Sequence, residues 1–456
     1  MKKQALLIAG TQSGSGKTTI TLGIMAALKH LGYSLAPFKC GPDFIDPSLH
    51  KLVTKTVSRN LDLWMAGESF SRGTFYRHGM TAEISVVEGV MGMFDGGASS
   101  SAALAKALGI PLILVLDVRS AAESGAAVLK GFETLDPEIT PIGVILNMTG
   151  STRHFELVRD AITEHCRAEI LGHLPRTLDF TIPSRHLGLH MGEESPVTEE
   201  KIEALARTMI ERIDMQRLLE IATVDLPPAA ERGPLPTDTS SSPTIRLAVA
   251  RDKAFCFYYQ DNFDILARAG ADICFFSPLE DSRLPEDIDA VYLGGGYPEL
   301  YGAKLSRNTQ LLGQIQRWAE DGRPLYAECG GFMYLTQGIT DLDGTFHTLA
   351  SVFPTTAAMQ TKRSSLGYRE ITTTASSFFG PPDTVLRGHE FHYSTVAPLP
   401  ESIERVYSVN NGSTEGYRRN NVLGGYMHLH FGSNTDAAHN FVEFCRQHRH
   451  QRNSAQ

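Results

Sequence analysis

The sequence predicts two α/β domains in tandem, the first on a parallel sheet. Three observations carry this. Short Ile/Val/Leu-rich runs alternate with helix-length segments over the first 220 residues; a proline-rich stretch then interrupts the pattern, and the pattern restarts at once beyond it. The chain has 456 residues, which at roughly 100–200 residues per domain is two or three domains with their own cores.

In the first half, residues 5–9, 84–87, 112–116 and 142–146 are short apolar runs ending in polar or glycine residues, the pattern of buried parallel strands. Helices are predicted between them, such as 18–31 and 101–108. A long amphipathic helix follows, with Ile202, Leu205, Ala206, Met209, Ile210 and Ile213 on one stripe. Residues 225–243 hold five prolines and a Thr-Ser-Ser-Ser run, and read as an extended linker. The expected boundaries are thus a first domain over 1–224, a linker over 225–243, a second domain over 244–446 and a polar tail over 447–456. In the second domain, strands are expected at 245–250, 273–276, 290–293 and 325–327, helices at 260–269 and 311–320, and β-rich segments from there to 426–430.

Composition narrows the function. A net charge of −9 argues against nucleic acid or an anionic membrane as partner, because both are held mainly by neutralising phosphates. The six cysteines show neither CxxC nor Cys/His spacing, which excludes a zinc ribbon and argues against a disulfide framework. Met1-Lys2-Lys3 and the apolar stretch after it have the outline of a signal peptide, but the stretch runs into a glycine-rich loop at Gly10, as a buried first strand does. No other apolar run approaches the ~20 residues of a membrane span, so a cytoplasmic protein is expected.

Two segments carry chemistry. Gly10-Thr11-Gln12-Ser13-Gly14-Ser15-Gly16-Lys17-Thr18-Thr19 follows the first strand and opens the first helix. Successive N–H groups and the helix N-terminus make a concave anion site there. Gly14, Ser15, Gly16, Lys17, Thr18 and Thr19 are the expected ATP phosphate contacts, with Lys17 on the β/γ-phosphates and the Thr18 hydroxyl on Mg²⁺. Thr11 stands where the motif's first glycine is usual, so the loop is a variant. Glu88, after a buried strand, and Asp43 or Asp46, in a stiff loop, are the acids expected to complete the metal site, since Mg²⁺ takes hard oxygen ligands.

The second segment is Tyr326-Ala327-Glu328-Cys329-Gly330-Gly331, where a strand meets a glycine turn that can expose a nucleophile beside N–H donors. Gly330, with Gly295 and Gly296 of the preceding turn, would supply an oxyanion site, and a thiol needs a base, for which His428 or His430 is available. A buried, inert cysteine is the competing reading.

These residues carry a resemblance. GTQSGSGKTT, FKCGPDFIDPSLH (38–50), VEGVMGMFDG (87–96), GGGYPELY (294–301), AECGGFMYL and GHEFHYS (388–394) resemble the motifs of cobyrinic acid a,c-diamide synthases, and more broadly of cobyric acid synthase and dethiobiotin synthetase-like amidoligases fused to a glutamine amidotransferase. The resemblance implies a dethiobiotin synthetase-like P-loop domain followed by a glutamine amidotransferase-like α/β domain. It further implies that glutamine hydrolysis supplies ammonia to corrin carboxylates a and c, which MgATP has activated as acyl phosphates, in cobalamin biosynthesis. By motif, Asp43 and Glu88 would help bind Mg²⁺, Asn147 would recognise adenine, Cys329 would attack glutamine and His428 would be the base. Many class I glutaminases have a Glu two residues after that histidine, whereas His430 stands there in this chain. Lys362, Arg363, Arg369 and Arg387 read as solvated charge rather than as substrate-binding cations. Hydrogenobyrinic acid or nickel-sirohydrochlorin would use the same chemistry, a P-loop ATPase switch or metal chaperone is the alternative of a different class, and a homodimer is left open.

Overall fold

A computed structural model describes residues 2–177, 180, 184–185, 188–189, 191–192, 197–225 and 245–455; most of the expected linker, 226–243, lies outside the described residues. The chain divides into two compact units, Met1–Leu235 and Pro236–Gln456.

The first unit alternates strand and helix: β1 (Lys2–Gly10), α1 (Lys17–His30), β2 (Leu35–Cys40), α2 (Ile45–Thr54), β3 (Arg59–Leu61), α3 (Glu68–Gly79), β4 (Ile84–Gly92), α4 (Ser101–Leu108), β5 (Leu112–Asp117), α5 (Ser124–Thr134), β6 (Gly143–Thr149), α6 (Thr152–His165) and β7 (Glu169–Pro175). A short hairpin of β8 (Ser184–Arg185) and β9 (Gly188–Leu189) precedes α7 (Glu199–Arg212), α8 (Met215–Ile221) and β10 (Thr223–Asp225). The sheet order is β3-β2-β4-β1-β5-β6-β7, all parallel, with β10 antiparallel against the start of β1. Because side chains alternate along a strand, β1 feeds two cores at once. Leu6 and Ile8 pack with residues of α1, α2, α7 and α8, whereas Ala5, Leu7 and Ala9 pack with α3 to α6 on the other face. That double burial is why the strands read as continuous apolar runs. It also leaves the strand ends after β1, β4 and β6 as the edge where polar groups gather.

The second unit opens in the same way, with β11 (Ile245–Ala250), α9 (Gln260–Arg268), β12 (Ala271–Phe276), β13 (Ala290–Leu293), α10 (Gly302–Arg307), α11 (Thr309–Glu320), β14 (Leu325–Glu328) and α12 (Gly330–Tyr334). It continues through β15 (Gly338–Thr340), β16 (Phe346–Thr348), β17 (Ala357–Met359), β18 (Ser365–Thr373), β19 (Val385–His392), β20 (Ser394–Val396), β21 (Glu404–Val409), β22 (Thr414–Arg419), β23 (Val422–Gly425) and β24 (His428–His430). The main sheet runs β12-β11-β13-β14-β23-β22-β21-β18-β19-β24; its first five strands are parallel and the rest antiparallel, while β16-β15-β17-β20 form a side sheet. The last helix, α13 (Thr435–Ala455), takes in most of the polar stretch beyond residue 446. Among the described residues no helix is long and apolar enough to cross a membrane.

Candidate active sites

In the first unit the loop after β1 wraps the start of α1. Gly16, at φ 88°, is the residue before that helix, and a Cβ there would stand 2.1 Å from Asn147 Nδ2. Only glycine meets both demands. Asn147, at the end of β6, donates from Nδ2 to Ser15 O at 2.8 Å and so pins the loop. Gly14, Gly16, Lys17, Thr18, Thr19 and Asn147 line a cavity of about 500 Å³. Ser15 is buried beneath it.

Glu88 is wholly buried at the centre of this site. Its Oε1 accepts from Thr18 Oγ1 at 2.6 Å and Lys17 Nζ at 3.0 Å, and its Oε2 meets His50 Nε2 at 2.7 Å. Ser58 Oγ lies 2.9 Å from the other ring nitrogen of His50; the hydroxyl can donate or accept there, whereas the ionised Glu88 only accepts and so calls for the proton on Nε2. Although burial opposes its charge, Lys17, Lys39 and His50 hold the Glu88 carboxyl well below the usual range. Lys39, also buried, donates to Gly89 O at 2.7 Å and pairs with Asp46 at 3.0 Å. Asp46 is pushed upward by burial and then by the Glu88 charge. The Asp43 carboxylate accepts the Ile45 and Asp46 amides at 3.1 and 3.0 Å, capping α2. Among the described residues no hydrogen bond joins Asp43 to Thr18 or Glu88. The hydroxyl of Thr18 and the carboxylate of Glu88 are hard oxygen donors that fit Mg²⁺.

In the second unit Cys329 follows the last residue of β14, and its backbone sits at φ 46° and ψ −104°, a strained turn for a residue with a side chain. Its amide donates to Gly425 O on β23 at 2.7 Å, and α12 begins at the next residue. A Cβ on Gly330 would stand 3.0 Å from the Gly296 amide nitrogen, so the two glycine turns lie backbone to backbone beside the thiol. A Cβ on Gly295 would stand 2.3 Å from His428 Cε1. The imidazole therefore occupies the space that a missing side chain leaves. His428 is stacked on its cross-strand partner His389, with ring centroids 4.8 Å apart. His430, by contrast, accepts the Gly432 amide at Nδ1 (3.0 Å), capping the turn that follows β24.

The electrostatics keep this pair neutral at rest. Burial, then the Glu299 carboxylate, push the Cys329 thiol up, while burial and the neighbouring His389 and His392 hold His428 well below the usual histidine value. Two further buried acids flank the site. Burial raises Glu328 to about 7 and Glu415 to about 8, and Glu415 accepts the Tyr426 amide at 2.6 Å. Of the cations near GHEFHYS, Arg369 pairs with Glu390 at 2.8 Å and Arg387 with Glu370 at 2.7 Å, so both are engaged within the fold.

Each of the two units matches a family model. Residues 6–189 match the CobQ/CobB/MinD/ParA nucleotide binding domain, and residues 246–436 match the CobB/CobQ-like glutamine amidotransferase domain. A cobyrinate a,c-diamide synthase of Dehalococcoides mccartyi (strain CBDB1) is 42% identical over 96% of this chain and 98% of its own. The chain belongs to the cobyrinate a,c-diamide synthase family. The relative from Priestia megaterium is 40% identical over the full length of both chains, and one from Leptospira interrogans serovar copenhageni is 39% identical over 98% of this chain and 99% of its own. Family membership makes the chain a glutamine-dependent ligase with a nucleotide-binding first domain.

Within that family frame, the sequence reading missed Lys39 and His50, although both stand in the quoted FKCGPDFIDPSLH segment. Attention to acids as metal ligands passed over the groups a buried acid needs around it. Glu328 was likewise quoted only as the residue before Cys329.

Gly295→Ala should drive the new methyl into the His428 ring and lower glutamine hydrolysis by about 100-fold, the cost of roughly 1 Å of misplacement, as read by glutamate release. Glu415 gives a pH signature. Its pKa is about 8 folded against 4.5 as the ordinary value, so the folded chain keeps a proton that the unfolded chain has lost. Stability from this group is full below the unfolded value and is lost as pH rises toward the folded one. Denaturant unfolding should show about 2 kcal/mol lost between pH 6 and 8, and Glu415→Gln should remove that part of the slope.

Proposed function

We propose that the chain amidates the a and c carboxylates of cobyrinic acid, using ATP and glutamine, as a cytoplasmic step of cobalamin biosynthesis. The observation that carries this reading is the coexistence of two separately built centres, Lys17–Thr18–Glu88 in one unit and Cys329 with His428 in the other. An ATPase switch or metal chaperone needs only the first.

A carboxylate resists ammonia because its oxygen is a poor leaving group. Transfer of the γ-phosphoryl group of ATP to a substrate carboxylate oxygen gives an acyl phosphate and ADP. Ammonia then attacks the carbonyl carbon, the C–O bond breaks and inorganic phosphate leaves. Little covalent chemistry falls to the protein here, so positioning and cationic stabilisation dominate. Lys17 and the loop amides would hold the phosphates, while Asn147 fixes the loop and lines the same cavity as the adenine site would need. Mg²⁺ bound by Thr18 and Glu88, with Asp43 nearby as the motif implies, would neutralise phosphate charge. Glu88 and Thr18 are the residues that would hold the ion, and His50 would keep orienting the Glu88 carboxylate.

In the second unit the Cys329 sulfur would attack the side-chain carbonyl of glutamine, with the thiol proton passing to His428. The oxygen that becomes negative would be met by amides of the Gly295-Gly296 turn and of Gly330. His428 would return its proton to the departing ammonia, and water would release glutamate from the thioester. A neutral imidazole suits the first step, and the engagement of His430 in a cap favours His428 as base.

Purified chain given MgATP, glutamine and cobyrinic acid should yield a product two amide substitutions from substrate by mass. Cys329→Ala should lose this with glutamine and keep it with free ammonia, whereas Lys17→Ala should lower amidation at least about 100-fold with either donor. Amidation only of hydrogenobyrinic acid or nickel-sirohydrochlorin would move the substrate and leave the chemistry. ATP hydrolysis indifferent to glutamine, ammonia and every tetrapyrrole would reject the amidation.

A further inference from the structure

The glutaminase centre lacks the carboxylate that the resemblance leads one to expect two residues after the base, since His430 stands there and is engaged in a cap. A buried carboxylate nonetheless reaches the same short strand from elsewhere. Glu328, the last residue of β14, is 3% exposed and covalently adjacent to Cys329. Its Oε1 accepts the backbone amide of Leu429, the residue after His428, at 3.0 Å. The same oxygen accepts Tyr326 Oη at 2.6 Å, and Oε2 accepts Tyr292 Oη at 2.9 Å, so both oxygens are held. The two tyrosines are cross-strand partners on β13 and β14, with rings stacked 5.1 Å apart, and they fix the carboxylate in one orientation.

The sheet topology shows why such a link matters. β24, which carries His428, is the terminal strand and among the described residues ladders only with β19, while β14 ladders with β23, whose last residue Gly425 faces Glu328 and stands three residues before His428. The backbone thus couples β14 to the strand just before His428, with Cys329 N donating to Gly425 O at 2.7 Å, but among the described residues β14 and β24 themselves share no ladder. Side chains reach β24 itself: Glu328 takes the Leu429 amide, and Asn262 of α9 donates to the Leu429 carbonyl at 2.8 Å. Of these two, only Glu328 ties the strand directly to the nucleophile.

We propose that Glu328 is a positioning residue for glutamine hydrolysis, holding the backbone beside His428 at a fixed distance from Cys329 and so doing through a main-chain amide what a third carboxylate does through the imidazole. The inference rests on the reading of Cys329 and His428 as nucleophile and base. It requires an acceptor oxygen at position 328, not a negative charge. A glutamine would still accept from Leu429 and Tyr326 through its oxygen and could donate its NH₂ to Tyr292 Oη.

The test uses the full chain with Glu328→Gln, Glu328→Ala and Glu328→Met, the last filling the same volume without an acceptor, and with Cys329→Ala in parallel. Glutamine hydrolysis and ammonia-dependent amidation are both measured. Loss of the tether should lower kcat for hydrolysis about 100-fold in the Ala and Met variants, with KM changed less than about threefold, because the groups displaced act on the chemical step. Glu328→Gln should stay within about fivefold of wild type, and ammonia-dependent amidation within about twofold in all three. Hydrolysis near the wild-type rate in the Ala or Met variant overturns the proposal. So does a Gln variant as slow as Ala, which would make charge the requirement, and so does joint loss of both activities, which would make Glu328 a residue of general stability. Hydrolysis surviving in Cys329→Ala instead rejects the underlying assignment of the nucleophile.

Discussion

The first unit depends on keeping one carboxylate charged where water does not reach it. Glu88 is buried within the parallel strand β4, and an isolated charge there would cost several kcal/mol. The fold supplies donors from three separate stretches of chain: Lys17 and Thr18 from the start of α1, and His50 from α2, with Lys39 of β2 as a further nearby cation. Each of those elements is fixed in turn by the apolar faces of the sheet. The loop, the base of the cavity and the charge balance therefore form one unit. Removing any donor leaves the carboxylate short of partners, which is the more damaging half of breaking a buried pair.

On the proposed assignment the second unit meets a different problem, that of setting Cys329 and His428 in place from the end of β14 and from β24, strands that do not ladder with each other among the described residues. Glycines do this by exclusion. The absence of a side chain at 295 makes room for the His428 ring, and at 330 it allows close approach to the Gly296 amide. Buried carboxylates do it by attraction, since Glu328 and Glu415 each accept a backbone amide within three residues of His428. Their raised pKa values show how strongly the surroundings resist their charge.

Much of this was legible in the sequence because its causes are local. Strands buried on both faces read as apolar runs, and β5 and α4 begin where the pattern predicts them, at Leu112 and Ser101. The phosphate loop and the cysteine turn were also visible, since each needs particular residues at adjacent positions. What was not legible depends on distant pairings. Glu328 and Leu429 are 101 residues apart, and His50 and Glu88 are 38 apart, with nothing local to mark either pair. Asp43 illustrates the converse: an acid in a stiff loop suits a metal pattern and a helix cap alike, and its carboxylate accepts the two amides that open α2.

The burial of Cys329 bears on how such an enzyme could be inactivated. None of the six cysteines is in a disulfide, and Cys166, Cys256 and Cys274 are partly exposed, whereas Cys329 is only 5% exposed and its thiol is held protonated. A small alkylating reagent in solution seeks accessible thiolate and so reacts first at those peripheral sulfurs. If Cys329 and His428 act as proposed, a reagent shaped like glutamine, with an electrophile in place of its amide, would bring its own binding energy to the buried sulfur. Selective labelling of this chain is thus a matter of molecular mimicry rather than intrinsic reactivity.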